Sequence, residues 1–544
     1  MHNHNNNDKN FDELFWADQI AKQITSREKF HYTDDKVPKF DTYTVKTSAS
    51  LSGVLHIGRL SDTIRSESVV IALKDAGIKT KFIWVAENMD PLRKIPKGVP
   101  ANFEKYLGMP VTDIPDPDGC HASYADHHME EYFKVVDEFV LTDMEKFSMR
   151  EEYKKGNFTS YIKKIMEKIE DVREIQNRYR TNPLKTNWSP WTPICDNCGK
   201  IVTTHVTGIE SGIVKYECTD YEFETTTAKG CGHKGENDPL KGNGKLLWKS
   251  EWAAQWARWK VVSEGAGKEY QVPNSAWWIN GEITEKVLNY PMPEPIFYEH
   301  ITIDNQKMSA SVGNVVYPKD WLEVASPELL RLFYNKRLMT TRSFSWKDLP
   351  NLYDEYDKIA EICLGKNILE NKKEEAHYKR LFEVSCGKDA KKSIDMSFSH
   401  AAVIAQTFPD EEDMIKGLEK TGHYNKDDHD RIFERFHKVK IWLKKHAPED
   451  VKFEVQKHVS KDIIITESEK KLLHEISALL KENDYNEQTL FEEFYTVSTR
   501  HKIKPQDFFK SAYKVLLNKE RGPKLAPFVL ALGKEKVAKL FESA

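Results

Sequence analysis

No apolar run in this chain approaches the roughly 20 residues needed to cross a bilayer, which excludes a helical integral membrane protein. Residues 1–10, Met-His-Asn-His-Asn-Asn-Asn-Asp-Lys-Asn, lack the apolar centre of a signal peptide and read as a flexible tail, so the expected location is the cytoplasm. Cysteine is scarce. Seven in 544 residues are too few for a disulfide framework, and their clustered spacing points to metal instead. A dominant charge is also lacking. With 81 basic and 85 acidic side chains the net charge is −4, which excludes a polycation coating nucleic acid non-specifically but leaves room for a local basic surface. There is no internal repeat. The chain does have 39% hydrophobic and 11% aromatic residues, enough for real cores, and a length that implies about three or four domains.

Phe11, Leu14, Phe15, Ile20 and Ile24 recur at helical spacing and predict an amphipathic helix over 11–30. Tyr43 and Val45 share one face of a strand over 41–47. A Ser/Gly loop follows, then a helix from about His56 to Ala76 closed by Gly77, then the strand Lys81-Phe82-Ile83-Trp84-Val85. Strand, glycine-bearing turn, helix and strand form a βαβ unit, which predicts an α/β fold with a Rossmann-like, doubly wound parallel sheet. The second half of that split sheet is expected downstream, with strands at 245–248 and 259–262 around a Trp-rich helix at 252–258. Between the halves lies an insertion, helical over 128–180 and Cys/Gly/Thr-rich with β character over 195–244. After about residue 350 Lys, Glu and Leu dominate with helical periodicity. Phe433, Phe436, Val439, Trp442 and Leu443 form one such face, in an all-helical domain that starts near Leu349-Pro350. The expected divisions are therefore a tail (1–10), the first sheet half (11–100), the insertion (101–244), the second sheet half (245–300), a loop and connecting region (301–360) and the helical domain (361–544).

Two segments carry chemistry. Ser52-Gly53-Val54-Leu55-His56-Ile57-Gly58-Arg59 lies where the first strand turns into the first sheet-packed helix. Its glycines let backbone approach a ligand, the free N–H groups of the helix start favour phosphate, and His56 can donate to phosphate oxygens. Lys307-Met308-Ser309-Ala310-Ser311-Val312-Gly313-Asn314 follows the strand-like Ile301-Thr302-Ile303 and an Asp304-Asn305-Gln306 turn. A loop carrying one Lys and two Ser hydroxyls suits a triphosphate. In this order, about 250 residues apart, the pair resembles the HIGH and KMSKS signatures of class I aminoacyl-tRNA synthetases. Arg59 replaces the second His of the first signature, and Ala310 replaces the second Lys of the other.

Further segments are similar to the class I lysyl-tRNA synthetases. They are Leu92-Arg93-Lys94-Ile95-Pro96-Lys97-Gly98-Val99-Pro100, Tyr106-Leu107-Gly108-Met109-Pro110, Lys245-Leu246-Leu247-Trp248, Glu251-Trp252, Gly267-Lys268-Glu269-Tyr270 and Ala447-Pro448-Glu449-Asp450-Val451-Lys452-Phe453. The resemblance runs from about residue 11 to the end. It implies activation of lysine with ATP, transfer to tRNA-Lys, and magnesium accompanying the ATP. It also implies an ATP site of Ser52, Gly53, His56, Gly58, Gly267, Lys307, Met308, Ser309 and Ser311, with His56, Lys307 and Ser309 catalytic. A pocket for an ammonium on an aliphatic stem needs carboxylates and aromatic walls, which Glu251, Trp252, Trp248, Glu87 and Asp90 offer. The family usually carries Asp where Glu251 stands. A glutamyl-type class I enzyme and a non-charging paralogue that binds tRNA or nucleotide remain the rival readings.

Cys195 and Cys198, two residues apart, with Cys218 and Cys231 after them, make a four-thiolate structural zinc site, in which His233 could replace one thiolate. Asp116, Cys120, His121 and His127 form a second candidate zinc set within twelve residues, with His128 as a spare. The resemblance implies a zinc-bearing insertion here and a metal at the second set too. Cys363 and Cys386 read as packing residues. In the helical domain Arg431, Arg435, His437, Lys438, Arg500, His501, Lys502 and Lys504 are basic residues of the kind that meets RNA phosphates, and the family has an anticodon-binding domain here. The oligomeric state is left open; a monomer would suffice.

Overall fold

The computed structural model describes residues 13–50, 55–95, 99–241, 243–308, 314–388, 394–408 and 410–544. The expected tail lies outside them. Two compact units emerge. The first is 1–319 with 327–344 and 369–390; the second is 320–326 with 345–368 and 391–544.

The first unit is built on five parallel strands: β1 (Tyr43–Ser50), β2 (Thr80–Glu87), β3 (Glu145–Ser148), β4 (Val261–Gly267) and β5 (Glu294–Tyr298). Their order is β5-β4-β1-β2-β3, all neighbours parallel. Chain direction across the sheet therefore reverses beside β1, and a crevice opens there at the carboxyl ends of β1 and β4. β2 reads Phe82-Ile83-Trp84-Val85-Ala86, an apolar run buried on both faces, as a central parallel strand should be. β1 departs from that rule with Lys46, Thr47, Ser48 and Ser50, and the departure lies at the crevice. Lys46 is fully buried, and its Nζ lies 2.5 Å from Glu264 Oε1 on β4. The indole N–H groups of Trp252 and Trp256 donate to the other Glu264 oxygen at 2.9 and 2.5 Å. Losing one partner leaves a buried charge uncompensated. Glu264→Ala is therefore expected to destabilise the first unit by about 3–5 kcal/mol in denaturant titration, with the Lys46→Met/Glu264→Leu pair recovering most of the loss.

Helix α1 is Trp16–Ser26, shorter than the span expected from periodicity, because Phe15 is already extended and Arg27 leaves the helix to pair with Glu285. Helix α2 (Ile57–Asp75) packs on the sheet and is buried on nearly every side despite its polar sequence. It is tolerated because several of its polar groups find partners, although Asp62 Oδ1, Ser66 Oγ and Glu67 Oε2 do not among the described residues. Thr47 donates to Asp62, Arg65 donates to Ser61 and to the Tyr334 carbonyl, and Glu67 accepts from Leu141 and Thr142.

Two expectations about the sheet are corrected. Gly244–Leu246 pairs antiparallel with Trp191–Pro193, outside the central sheet, and Trp248 already begins helix α3 (Trp248–Trp259). The second sheet half starts at Val261 instead. The segment expected to be purely an insertion contributes β3, which interrupts the stretch expected to be helical over 128–180. Its β character over 195–244 is present as an antiparallel sheet of Thr204–Glu210, Ile213–Cys218 and Lys234–Asn237. The helix Lys372–Cys386 belongs to the first unit, where Arg380 binds Asp18 at 2.7 Å and Asp75 at 2.7 Å.

The regular elements of the second unit are all helices among its described residues, joined by irregular segments such as 446–466. Its first long helix, Leu349–Cys363, carries Pro350 in its first turn, where a missing N–H costs nothing. On His429–Lys445 the predicted face is buried at Phe436, Val439 and Trp442 and half-buried at Phe433 and Leu443. Leu472, Ile476, Phe494, Phe508, Val529 and Phe541 belong to a second core.

Candidate active site

A cavity of about 500 Å³ opens at the crevice. Its walls bring together His56, Gly58, Gly267, Lys307, Met308, Glu251, Trp252, Trp248, Glu87 and Asp90, that is, every described residue proposed from sequence for nucleotide or amino acid. Ser52, Gly53, Ser309 and Ser311 lie outside the described residues, as does Ala310.

His56 caps α2, and its Nδ1 accepts the Gly58 N–H at 3.1 Å. Burial, and then the nearby Arg59 charge, push this imidazole down to about 4. It is therefore neutral near pH 7, and with Nδ1 accepting, its proton sits on Nε2 as a donor. A Cβ on Gly58 would come within 2.8 Å of the His56 ring and of the Met308 methyl, so a larger residue would push one of them aside. The loop signature thus touches the helix signature directly. The helix start differs from expectation in one respect. The Ile57 N–H donates to the Val316 carbonyl at 2.9 Å, Gly58 N–H to His56 Nδ1, and Arg59 N–H to the His56 carbonyl at 2.9 Å. All three are already occupied.

Lys307 ends a hairpin. Ile301–Ile303 pairs with Gln306–Lys307 through Asp304 and Asn305, both at positive φ (49° and 62°), as a two-residue turn joining twisted strands requires. Among the described residues, neither the Lys307 nor the Arg59 side chain has an ion-pair or hydrogen-bond partner.

The same cavity holds an acidic cluster. Glu251, expected to be free for a ligand, is buried and engaged: Tyr153 Oη donates to its Oε1 at 2.7 Å, and Lys245 Nζ lies 3.1 Å from its Oε2. Lys245 also lies 3.6 Å from Asp90, which accepts from Ser50 Oγ at 2.6 Å. Burial opposes the charge on Lys245, but Glu251, Asp90 and Glu87 outweigh it and hold the ammonium above its usual range. Glu87 accepts from Gln255 at 2.9 Å, and burial followed by Glu251 repulsion raises its carboxyl to about 7. Asp90 and Glu251 therefore share Lys245, while Glu87, acted on by Lys46 and Lys245 but paired with neither, is left without a cation of its own. Stacked Trp248 and Trp252, 5.5 Å apart, and Tyr270, edge-on to Trp252 at 5.4 Å, form the adjoining wall.

Lys245, Lys46, Glu264 and Asp62 were not singled out from sequence. A buried Lys reads like any surface Lys until the fold encloses it. Asp62 Oδ1 lacks a partner among the described residues, burial raises the group to about 6, and a Cβ on Gly265 would overlap it.

In the insertion the four sulfurs of Cys195, Cys198, Cys218 and Cys231 lie within 4.8 Å of one another, with pairs at 3.7 and 3.6 Å. Bonds of about 2.3 Å in a tetrahedron give sulfur separations of about 3.8 Å, so the donor set fits one ion. Cys231 rather than His233 completes it. In the second group Cys120 Sγ lies 3.1 Å from Asp116 Oδ2, 3.0 Å from His121 Nδ1 and 3.3 Å from His127 Nδ1. The outer nitrogen of His121 contacts Glu130 at 2.8 Å, the kind of contact that orients a metal-bound imidazole.

In the helical unit several basic candidates are already paired: Arg435 with Asp357, Arg431 with Asp428, Lys438 with Glu434, and Arg500 and His501 with Glu475. No helix among the described residues is long and apolar enough to cross a membrane.

The family model for class I tRNA synthetases of the lysine type matches residues 14–388. A lysine–tRNA ligase of Methanosphaera stadtmanae is 31% identical, covering 97% of this chain and 98% of its own length. One from Borreliella burgdorferi is also 31% identical, covering 96% and 98%. A solved glutamate tRNA ligase from Elizabethkingia meningosepticum overlaps 92% of this chain and 98% of its own at 11% identity, with a TM-score of 0.42, too slight a likeness to bear on function.

Proposed function

We propose, from the premise that this chain belongs to the class I lysyl-tRNA synthetase family, that it is a lysine–tRNA ligase working through the cavity beside β1. Lysine, ATP and tRNA-Lys are its substrates. The observation that carries the choice of amino acid is the acidic cluster: Glu87, Asp90 and Glu251 gathered around Lys245, with the nearby Lys46 already paired to Glu264. A lysine ammonium supplies the missing charge, whereas a glutamate side chain would add to the excess.

Activation needs no strong base, because the lysine carboxylate is already a nucleophile. One carboxylate oxygen attacks the α-phosphorus, the bond to the bridging oxygen breaks, and pyrophosphate leaves with the electron pair. A terminal ribose hydroxyl of tRNA then takes the lysyl group and AMP departs. The chain contributes positioning and charge. His56 offers Nε2–H to phosphate oxygen, Lys307 offers its ammonium to the leaving pyrophosphate, and Trp248, Trp252 and Tyr270 border the aliphatic stem. Ser309 and Ser311 are assigned supporting hydroxyls, and Ser52, Gly53, Gly58, Gly267 and Met308 line the nucleotide. Magnesium travelling with ATP would neutralise further phosphate charge. Both metal groups are assigned to structural zinc, the helical unit to anticodon binding, and the cytoplasm is the proposed location.

An amino-acid panel in ATP–pyrophosphate exchange tests the reading. Lysine alone should support exchange; exchange with glutamate and not lysine overturns it. Glu87 adds a pH signature. Ionised Glu87 receives the ammonium, and the ionised fraction of a group titrating at about 7 rises about tenfold between pH 6 and pH 8. Lysine should therefore bind up to about tenfold more tightly at pH 8, and Glu87→Gln should flatten that dependence in calorimetric titrations.

A further inference from the structure

We propose that Tyr153 is a positioning residue for the amino-acid pocket: it keeps Lys245 committed to Glu251, so that Glu87 is left for the substrate ammonium. The inference rests on the lysine reading above. Tyr153 stands on the short helix Met149–Lys154 that follows β3. Its hydroxyl makes two hydrogen bonds, donating to Glu251 Oε1 at 2.7 Å and accepting from the Leu246 N–H at 3.0 Å. Leu246 follows Lys245 on the strand Gly244–Leu246, and Glu251 lies in the first turn of α3. One oxygen thus ties the strand that carries Lys245 to the helix that carries its partner. Packing holds that oxygen in place. The Tyr153 ring is buried, stacked on Phe158 at 5.3 Å and edge-on to Trp191 at 6.0 Å, and Trp191 is itself the strand partner of Leu246.

Lys245 carries the same group as the substrate, so within this pocket it is the natural competitor. Its Nζ lies 3.1 Å from Glu251 and 3.6 Å from Asp90, and its charge also acts on Glu87. Lys46, the other cation acting on Glu87, is held by Glu264 at 2.5 Å. An ammonium on a flexible four-carbon stem turns toward whichever carboxylate is best ionised and best placed. Burial pushes the Glu251 carboxyl up, and Lys245 and then the Tyr153 hydroxyl oppose that push. Without the hydroxyl the buried carboxylate loses a donor, its hold on Lys245 weakens, and Lys245 can swing to Glu87 and fill the place of the substrate. Tyr153 does not line the cavity, so it acts through Glu251 and not by touching lysine.

The test uses the full, metal-replete chain with lysine as the probe, in calorimetric titration and in lysine-dependent ATP–pyrophosphate exchange. Tyr153→Phe keeps the ring and removes the hydroxyl. It should weaken lysine binding and raise the KM for lysine by about tenfold, the scale of one hydrogen bond to a charged group. The kcat at saturating lysine and the KM for ATP should stay within about twofold, whereas a merely structural lesion would move them too. In Glu251→Gln, Lys245 has already lost its charged partner, so adding Tyr153→Phe should cost less than about twofold more. Glu251→Asp draws the carboxylate back from the hydroxyl without touching the ring, and it carries the test if Tyr153→Phe does not fold: lysine should again bind about tenfold more weakly. Lysine affinity within about twofold of wild type in Tyr153→Phe, or in Glu251→Asp where that variant stands in, overturns the proposal. So does a full tenfold loss from Tyr153→Phe on top of Glu251→Gln. Failure of the ligase reading is distinct: the unaltered chain would then bind no lysine, and the proposal would fall with it.

Discussion

Lys307→Ala should lower lysyl-adenylate formation at least ~100-fold while leaving lysine affinity nearly unchanged. Lys307 ends the hairpin built on Ile301–Ile303, on the cavity wall, and its ammonium has no partner among the described residues. Such a charge interacts little with the free enzyme and most strongly with the pyrophosphate as it leaves. Removing an interaction realised mainly in the transition state lowers kcat rather than raising the KM for the amino acid. A hundredfold loss corresponds to about 2.7 kcal/mol, the scale of deleting one preorganised donor to a developing anion. Lysine affinity is spared because the substrate ammonium is assigned to Glu87, Asp90 and Glu251, not to Lys307. Single-turnover formation of labelled adenylate gives the rate, and calorimetry gives the affinity. A near-normal rate in Lys307→Ala would remove Lys307 from the mechanism.

Cys218→Ser should remove one of two zinc atoms per chain and unfold the module around residues 195–237. Ile201 and Val214 of this module join the larger core of the first unit, but around the sulfurs the buried cluster is only Cys195, Tyr216 and Cys218, with Cys198 packed against them. That end has little else to hold it, whereas a four-thiolate ion contributes roughly 10 kcal/mol or more. The strand Ile213–Cys218 carries one sulfur into the group directly, and Gly230 passes so close to Thr219 that a Cβ there would strike its backbone. Elemental analysis should fall from two zinc atoms to one. Limited proteolysis should then cut within 195–237 while the parallel sheet stays protected. Unchanged zinc content and unchanged protection would show that the sulfurs hold no structural ion. An initial count below two would remove the Asp116 group.

Local patterns carried much of this architecture. The βαβ unit at 43–87 was legible because β2 is a continuous apolar run and α2 begins at a glycine-bearing turn. The two Cys-bearing groups that could hold a metal come together in the fold, and they were legible because their members lie close in sequence. β3 was missed because four residues, Glu145-Lys146-Phe147-Ser148, give no apolar run; pairing with β2 makes them a strand. The segment 245–248 misled for a different reason. It does hold a strand, but one whose partner, Trp191–Pro193, is defined only by the tertiary fold. The same limit applies to the site. Glu251 looked free because Tyr153 is 98 residues away in the chain and Lys245, though close in sequence, becomes its partner only when the fold buries both. The helix-start N–H groups looked free because their acceptors include Val316, about 260 residues away.

The central claim is that this chain charges tRNA with lysine through the cavity beside β1. The most direct measurement is aminoacylation of total tRNA by the purified, metal-replete chain, with labelled lysine and labelled glutamate in parallel. The expected result is ATP-dependent, acid-precipitable lysine at every pH from 7 to 8, no glutamate, and no charging by Lys307→Ala at matched concentration. Glutamate incorporation, or no incorporation of either amino acid by a folded chain holding its zinc, would contradict it.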